Sequence, residues 1–340
     1  MNRSVFLGAL TVAGLAAGVA AAGTVDDVMA RGKLICGVTT GLVGFAAPDA
    51  NGEWKGFDVD MCRAVAAAVL KDPSAVEFVT TTGKTRFTSL ASGEVDMLSR
   101  NTTWTFSNDV GLRFEFAAVN YYDGQGFIAP KARGVSSAKE LDGFSVCIQT
   151  GTTTQLNLAD FFRANNISYE PVPIETNAEA IEKYLAGECE VYTTDASILA
   201  ASRATFEDPT AHVLLPEIIS KEPLGPLVRH GDNEWGDIVR WTLNALISAE
   251  ELGVTSANIA QLAEAANPET PEINRLLGTE GTLGDMLGLD PEWARRAIEA
   301  GGNYGEVFAR NIGEETPVGL ARGLNAQWTN GGLLYSPPFR

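Results

Sequence analysis

Three short stretches carry side chains that could do chemistry. Arg100-Asn101-Thr102-Thr103 follows a strand pattern beginning at Val95, so a guanidinium and a run of short donors fall on a loop at a strand's carboxyl end. In an open α/β sheet ligands lie at that edge, and a planar guanidinium flanked by hydroxyls suits a carboxylate. A solvated charge or a structural ion pair is the competing reading of Arg100. Gly151-Thr152-Thr153-Thr154 opens a helix, whose first N–H groups are unpaired and partly positive, again suited to a carboxylate. Plain capping by threonine accounts for the same residues, and the two readings are compatible. Asp195 ends the strand pattern Val191 to Thr194, where an acid is commonly a turn former or the cap of the next helix.

Catalytic groupings do not stand out. His212 and His230 are the only histidines and lie outside these stretches, and no paired-carboxylate motif offers general acid and base. Cys36, Cys62, Cys147 and Cys189 contain no C-x-x-C spacing, so structural zinc is not expected. Their even number in an exported chain favours two disulfides.

Export itself is read from the first 22 residues. Arg3 supplies a positive start, Val5 to Val19 is apolar or small, and Ala20-Ala21-Ala22 offers a cleavage site before Gly23, the pattern of a secretory signal peptide. A membrane anchor would want larger residues and a basic flank on the far side. The whole chain has 340 residues, 45% of them hydrophobic, enough for a large core in two units. Acidic residues outnumber basic ones, 43 to 25, for a net charge of −18, and no Lys/Arg cluster approaches a nucleic-acid footprint.

The elements that must position these residues alternate. Leu34 to Val38 reads as a buried strand, Asp58 to Leu70 as a helix, Ala75 to Thr81 as a strand, Arg86 to Ser92 as a short helix, and Val95 to Ser99 as a strand. Phe144 to Ile148, the helix after Gly151, the helix face of Ile181, Tyr184 and Leu185, and Val191 to Thr194 repeat the plan. Two stretches, Leu90-Ala91-Ser92-Gly93-Glu94-Val95-Asp96 and Leu185-Ala186-Gly187-Glu188-Cys189-Glu190-Val191, echo each other as helix end, glycine cap and strand. Two α/β lobes of similar architecture follow. The chain crosses between them twice, at Asn120 to Gly126 and at Glu222 to Pro226, which predicts a paired-strand hinge with a cleft. After Trp235 to Glu251, a helix, the last 85 or so residues read as an ordered appendage of short helices.

With these motifs in order, the chain resembles the extracytoplasmic solute-binding proteins of amino-acid ABC importers, bacterial solute-binding protein family 3. Gly52-Glu53-Trp54-Lys55-Gly56-Phe57-Asp58-Val59-Asp60 is similar to that family's G-x-x-x-G-F-D-x-D segment, and Gln149-Thr150-Gly151-Thr152-Thr153 to its Q-x-G-T-T loop. Leu98 to Thr105, Asn120 to Phe127 and Tyr192 to Asp195 resemble the general L-amino-acid-binding branch, which also carries a long C-terminal extension. The resemblance implies a two-lobe, type II periplasmic binding protein-like α/β fold with a two-strand hinge and a helical extension. It implies residues 23–124 plus 226–340 as the first lobe, with the extension from about 255, and residues 125–225 as the second.

The resemblance also implies a site. An amino-acid zwitterion stripped of water needs a fixed partner for each charge. Arg100, Asn101, Thr103 and Thr153 are expected at its carboxylate, and Asp195 at its ammonium. The family's carboxylate-binding arginine falls where this chain has Asn108, which offers no charged fork; either Arg100 takes the role, or Arg86 or Arg113 reaches in. Leu42 stands where many relatives carry an aromatic that packs on the ligand side chain, which fits broad specificity. Four cysteines allow three pairings; bridges Cys36–Cys62 and Cys147–Cys189, inside lobes, leave the hinge free. The expected partners are an L-amino acid, with glutamate, glutamine, aspartate and asparagine among the candidates, and permease subunits with a cytoplasmic ATPase. A monomer in the periplasm is expected, with no nucleic acid, cofactor or metal. The competing functions are a dehydratase-type enzyme on the same fold and a sensory module for a receptor.

Overall fold

The computed structural model describes residues 23–340, so the leader expected over residues 1–22 lies outside the described residues. α1 (Thr24–Arg31) leads into β1 (Leu34–Val38), whose unbroken apolar run is buried along most of its length. A small hairpin, β2 (Ala47–Pro48) and β3 (Trp54–Lys55), precedes α2 (Phe57–Leu70), an alanine-rich helix apolar nearly all round. Such a helix needs cover on more than one side. β4 (Val76–Thr80), α3 (Arg86–Ala91), β5 (Met97–Leu98) and β6 (Phe114–Phe116) complete the first passage. β5 is shorter than the Val95–Ser99 pattern predicts, but Asp96 N–H and Ser99 N–H still donate to Ile35 O and Gly37 O on β1, holding the register.

β7 (Tyr121–Asp123) carries the chain across to β8 (Gln125–Pro130), β9 (Phe144–Gln149), α4 (Thr153–Asn165), β10 (Tyr169–Ile174), α5 (Asn177–Ala186), β11 (Val191–Asp195), α6 (Ala196–Arg203) and β12 (His212–Leu214). β13 (Glu222–Leu224) brings it back to β14 (Leu227–Arg229) and α7 (Asn233–Glu251). The first sheet has the order β4-β1-β5-β14-β6 and the second β10-β9-β11-β8-β12. In each, three parallel strands are followed by one antiparallel strand that enters directly from a crossing, β14 beside β5 and β8 beside β11. The fold is thus the expected two-lobe α/β architecture.

The crossings lie side by side: β7 and β13 pair antiparallel, Tyr121 against Leu224 and Asp123 against Glu222. Each ends on a glycine that the packing demands. A Cβ on Gly225 would sit 2.1 Å from Ala118 O, and one on Gly124 would sit 2.2 Å from the Ile218 side chain, so no larger residue fits either turn without a shift.

Both disulfides join the expected cysteines, Cys36–Cys62 between β1 and α2 and Cys147–Cys189 between β9 and the turn before β11. The second sheet is covered on both faces, by a cluster around Phe127, Leu158 and Phe162 and another around Tyr184, Tyr192 and Phe206.

The extension is more than an appendage. α8 (Ile259–Leu262), α9 (Pro271–Leu277), α10 (Trp293–Gly301) and α11 (Tyr304–Asn311) contribute Leu277, Trp293, Ile298, Tyr304 and Phe308 to the cluster that also holds α2 and α7. α10 packs along α2, supplying the missing cover, and each large side chain buried there stabilises the lobe by about 1.5–3 kcal/mol. Ile198, Ala200 and Ala201 of α6 join the same cluster as the crossing residues Tyr121 and Leu224, while the helix itself packs on β8, β11 and β12 of its own sheet.

Candidate functional site

The site forms where the carboxyl ends of β5 and β11 face each other across the paired crossings. Arg100 leaves β5 and is buried; its Nη1 donates to Thr82 O at 2.8 Å in the turn after β4, while its Nε is buried with no partner. Arg86, the first residue of α3, is buried beside it, with Nη1 3.3 Å from Thr102 Oγ1 and an unpartnered Nε. Burial lowers the pKa of both guanidinium groups, Arg86 to about 10, and each further depresses or is offset by its neighbours: Arg86 repels Arg100, while Asp58 and Asp195 attract it.

Asp195 closes β11 and is buried. It occupies the N-cap of α6, yet its side chain makes no cap hydrogen bond. Asp123, on the crossing strand β7, takes that role instead: its carboxylate accepts from Ser197 N at 3.4 Å, from the Ser197 hydroxyl, and from Gly124 N at 2.8 Å. The Asp195 carboxyl is therefore directed elsewhere, among Asn101, Arg86 and the acids. Burial pushes it well above the carboxylate range, Asp123 and Glu222 push it further, and the Asn101 amide and Arg86 pull it back. Asp58, in the first turn of α2, is raised to about 7 by burial against the pull of Arg100 and Asn120. Asp123 is raised to about 6, again mainly by burial.

Thr153 stands at the first position of α4. Thr152 does the capping, its hydroxyl accepting from Gln155 N at 3.3 Å, which leaves the Thr153 hydroxyl to point away from the helix. It lies 3.2 Å from the Thr103 hydroxyl, so residues from opposite lobes meet. Both hydroxyls donate to one Oε2 of Glu222, Thr153 at 3.1 Å, while Asn157 Nδ2 and Ser220 Oγ donate to Oε1, each at 2.6 Å. At the outer lip Lys84 Nζ bonds Glu175 Oε1 at 2.5 Å, and a cleft of about 560 Å³ opens there, lined by Arg86, Asn108 and Thr153 among others.

Of the residues expected from sequence, Arg100, Asn101, Thr103, Thr153 and Asp195 come together. Asn108 borders the cleft, and its amide donates to Thr103 O at 3.0 Å, bracing the loop. Of the alternatives for the missing arginine, Arg86 is inside the cluster and Arg113 is exposed. Leu42 is buried in the first lobe's main apolar cluster, its backbone paired with Ala46. Sequence reasoning did not single out Asp58, Asp123 or Glu222. All three lie in stretches it did use, as a helix start and as the two crossings; the register of β7 with β13 brings Asp123 opposite Glu222, and the packing of α2 brings Asp58 to Arg100. Among the described residues no group of three or more His, Cys, Asp or Glu is arranged to hold a metal ion.

A cluster of buried acids and two guanidiniums, with Arg86 Nε, Arg100 Nε, Asp58 Oδ2 and Asn101 Oδ1 all unpartnered, is costly unless something satisfies it. A small ligand bearing both charges has the chemistry to do so.

Comparison with known proteins agrees in kind. The pattern of the bacterial extracellular solute-binding proteins, family 3, matches residues 34–258. The chain is 64% identical over 340 residues, the full length of both, to the glutamate/glutamine/aspartate/asparagine-binding protein BztA of Rhodobacter capsulatus. It is 53% identical over 344 residues, again the full length of both, to the general L-amino acid-binding periplasmic protein AapJ of Rhizobium johnstonii. A solved structure of an ABC transporter periplasmic binding protein from Brucella ovis with glutathione bound is 54% identical, with a TM-score of 0.90, covering 94% of this chain and all of that one.

Proposed function

The chain belongs to the bacterial extracellular solute-binding proteins, family 3, and we propose that its interlobe site grips the two charges of an L-amino acid. It is a periplasmic substrate-binding protein of an ABC importer. In the proposed arrangement the ligand carboxylate meets Arg100 or Arg86 with the hydroxyls of Thr103 and Thr153, and the ammonium meets Asp195. The observation that carries this reading is the set of buried, unpartnered atoms Arg86 Nε, Arg100 Nε, Asp58 Oδ2 and Asn101 Oδ1 in a cluster that also holds Asp195.

Two buried guanidiniums supply more than one carboxylate needs. They favour a ligand with a second carboxylate or amide, as in glutamate, aspartate and their amides, which the name of the Rhodobacter relative also gives. Glutathione, bound in the Brucella structure, carries the same glutamyl head, and the cleft of about 560 Å³ at the outer lip has room for the rest.

In this reading residues 125–225 form the moving second lobe, residues 23–124 with 226–340 the first, and the crossings bend between them. Ligand favours closure by contacts that exist only when the lobes meet, and the closed shape is what the permease subunits read. In this reading the protein captures and releases its ligand as a monomer and without chemical turnover; His212 bonds Tyr184 at 2.8 Å and His230 lies near Asp109. Calorimetry on the mature protein tests the assignment. Asp195→Ala is expected to weaken binding of L-glutamate and L-glutamine by more than about 2 kcal/mol, through an unpaired buried ammonium. Unchanged affinity removes Asp195 from the site.

A further inference from the structure

We propose that Asn325, in the C-terminal extension, is a positioning residue for the hinge: it ties the backbone of Tyr122 to the first lobe and confines bending to the chain beyond it. The proposal rests on the two-lobe capture reading above.

Tyr122 sits in the middle of β7 opposite Pro223. Proline has no N–H, so this position cannot exchange a pair of bonds with β13. The N–H and C=O of Tyr122 face the other way, and both meet one side chain. Tyr122 N donates to Asn325 Oδ1 at 2.6 Å, and Asn325 Nδ2 donates to Tyr122 O at 3.1 Å. A single amide thus reproduces the bond pair that a third strand would make on the hinge's outer edge.

The brace is itself anchored. Asn325 is buried, and its carbonyl accepts from Arg322 Nε at 2.9 Å. The Arg322 guanidinium forks onto both oxygens of Glu250, at 2.8 and 3.0 Å, near the end of α7, and lies over the rings of Tyr304 and Phe308. Tyr304 O–H donates to Asn120 O at 2.8 Å, a second grip just upstream. Among the described residues no hydrogen bond runs from the extension to residues 123–125. The extension therefore holds the hinge strand as far as Tyr122 and releases it before Gly124. A shorter bending segment has fewer conformations to lose on closure, so a larger share of the free protein is ready to bind.

Hydrogen exchange and binding kinetics on the mature chain, with L-glutamate and L-glutamine as probes, test this. In the unaltered protein the Tyr122 amide should be protected equally with and without ligand, while protection at Gly124 and Gln125 changes. Asn325→Ala should expose the Tyr122 amide in the free protein and lower affinity about three- to tenfold, through slower association. Asn325→Asp keeps an acceptor for the Tyr122 N–H and should fall between. Tyr304→Phe, which deletes only the bond to Asn120, covers the case in which Asn325→Ala does not fold and should act in the same direction. The inference is overturned by variants that lose thermal stability but keep their affinity, or by a Tyr122 amide whose protection follows the ligand as Gly124's does. Failure of the unaltered protein to bind either amino acid would instead overturn the functional reading, and the exchange pattern of the free protein would still decide the brace.

Discussion

Asp123 and Glu222 stand opposite each other in register on the two hinge strands, and each sends its carboxylate to a different place. Asp123 reaches forward to cap α6 through Ser197. Glu222 reaches into the cleft and collects donors from Thr103 on one lobe and from Thr153 and Asn157 on the other. The crossings are therefore both the connection between the lobes and a polar part of the site.

Glu222 makes closure dependent on itself. Hydrogen bonds to a charged group are worth about 1.5–3 kcal/mol each, so Glu222→Ala should speed ligand dissociation at least about tenfold in stopped-flow. Glu222→Gln, which keeps an acceptor, should lie between. A dissociation rate that does not change would show the bridge contributes nothing to the closed state.

The two guanidiniums can be told apart. If Arg100 holds the α-carboxylate, Arg100→Ala should abolish binding of every amino acid, whereas Arg86→Ala should cost most for those with a second carboxylate or amide. A calorimetric panel of glutamate, glutamine and alanine against both variants reads this directly. Equal losses for all three ligands in both variants would assign the pair jointly to one carboxylate.

The free protein should be more stable at pH 5 than at pH 8. Burial holds Asp58 at about 7, Asp123 at about 6 and Asp195 higher than usual. The folded chain therefore keeps protons that the unfolded chain has released, and stability falls as pH rises through those values. Acids held low by hydrogen bonds and cations, such as Asp290 at about 2, act in the opposite sense only at more acidic pH. Each whole pKa difference between folded and unfolded chain is worth about 1.4 kcal/mol. Melting temperatures across that range check the slope, and Asp58→Asn should flatten it.

Both bridges should support the lobes without touching recognition. Removing Cys147–Cys189, which closes a loop of separation 42, should cost about 2–5 kcal/mol of stability. Cys147→Ser with Cys189→Ser should lower the melting point and leave ligand affinity unchanged at a temperature where the chain is folded. A large loss of affinity in the folded variant would contradict that separation.

What the residues reveal on their own follows from locality. β1 and β9 are apolar runs bounded by turns, and Thr152-Thr153 announces a helix start, so these elements and Arg100, Thr153 and Asp195 at their ends are legible from the chain itself. The partners of Asp195 are not. Its cap is usurped by Asp123 from 72 positions earlier, a substitution that depends on how β7 runs past α6. Glu222 precedes Pro223 in what reads as a plain exit turn, and its four donors come from three separated stretches. The contribution of the extension is hidden for the same reason: α10 and α11 are amphipathic, but the helices their apolar faces meet are distant in the chain, and Tyr304 and Trp293 find their burial only against α2 and α7.

The order of the cysteines has a consequence for how the chain matures. Cys36 joins Cys62, the next to appear, and Cys147 joins Cys189, again the next. A chain threaded outward from its amino end would thus present each thiol to its correct mate before any competitor emerges. An oxidant that simply links neighbours as they arrive produces the native bonds, and thiol exchange has nothing to repair.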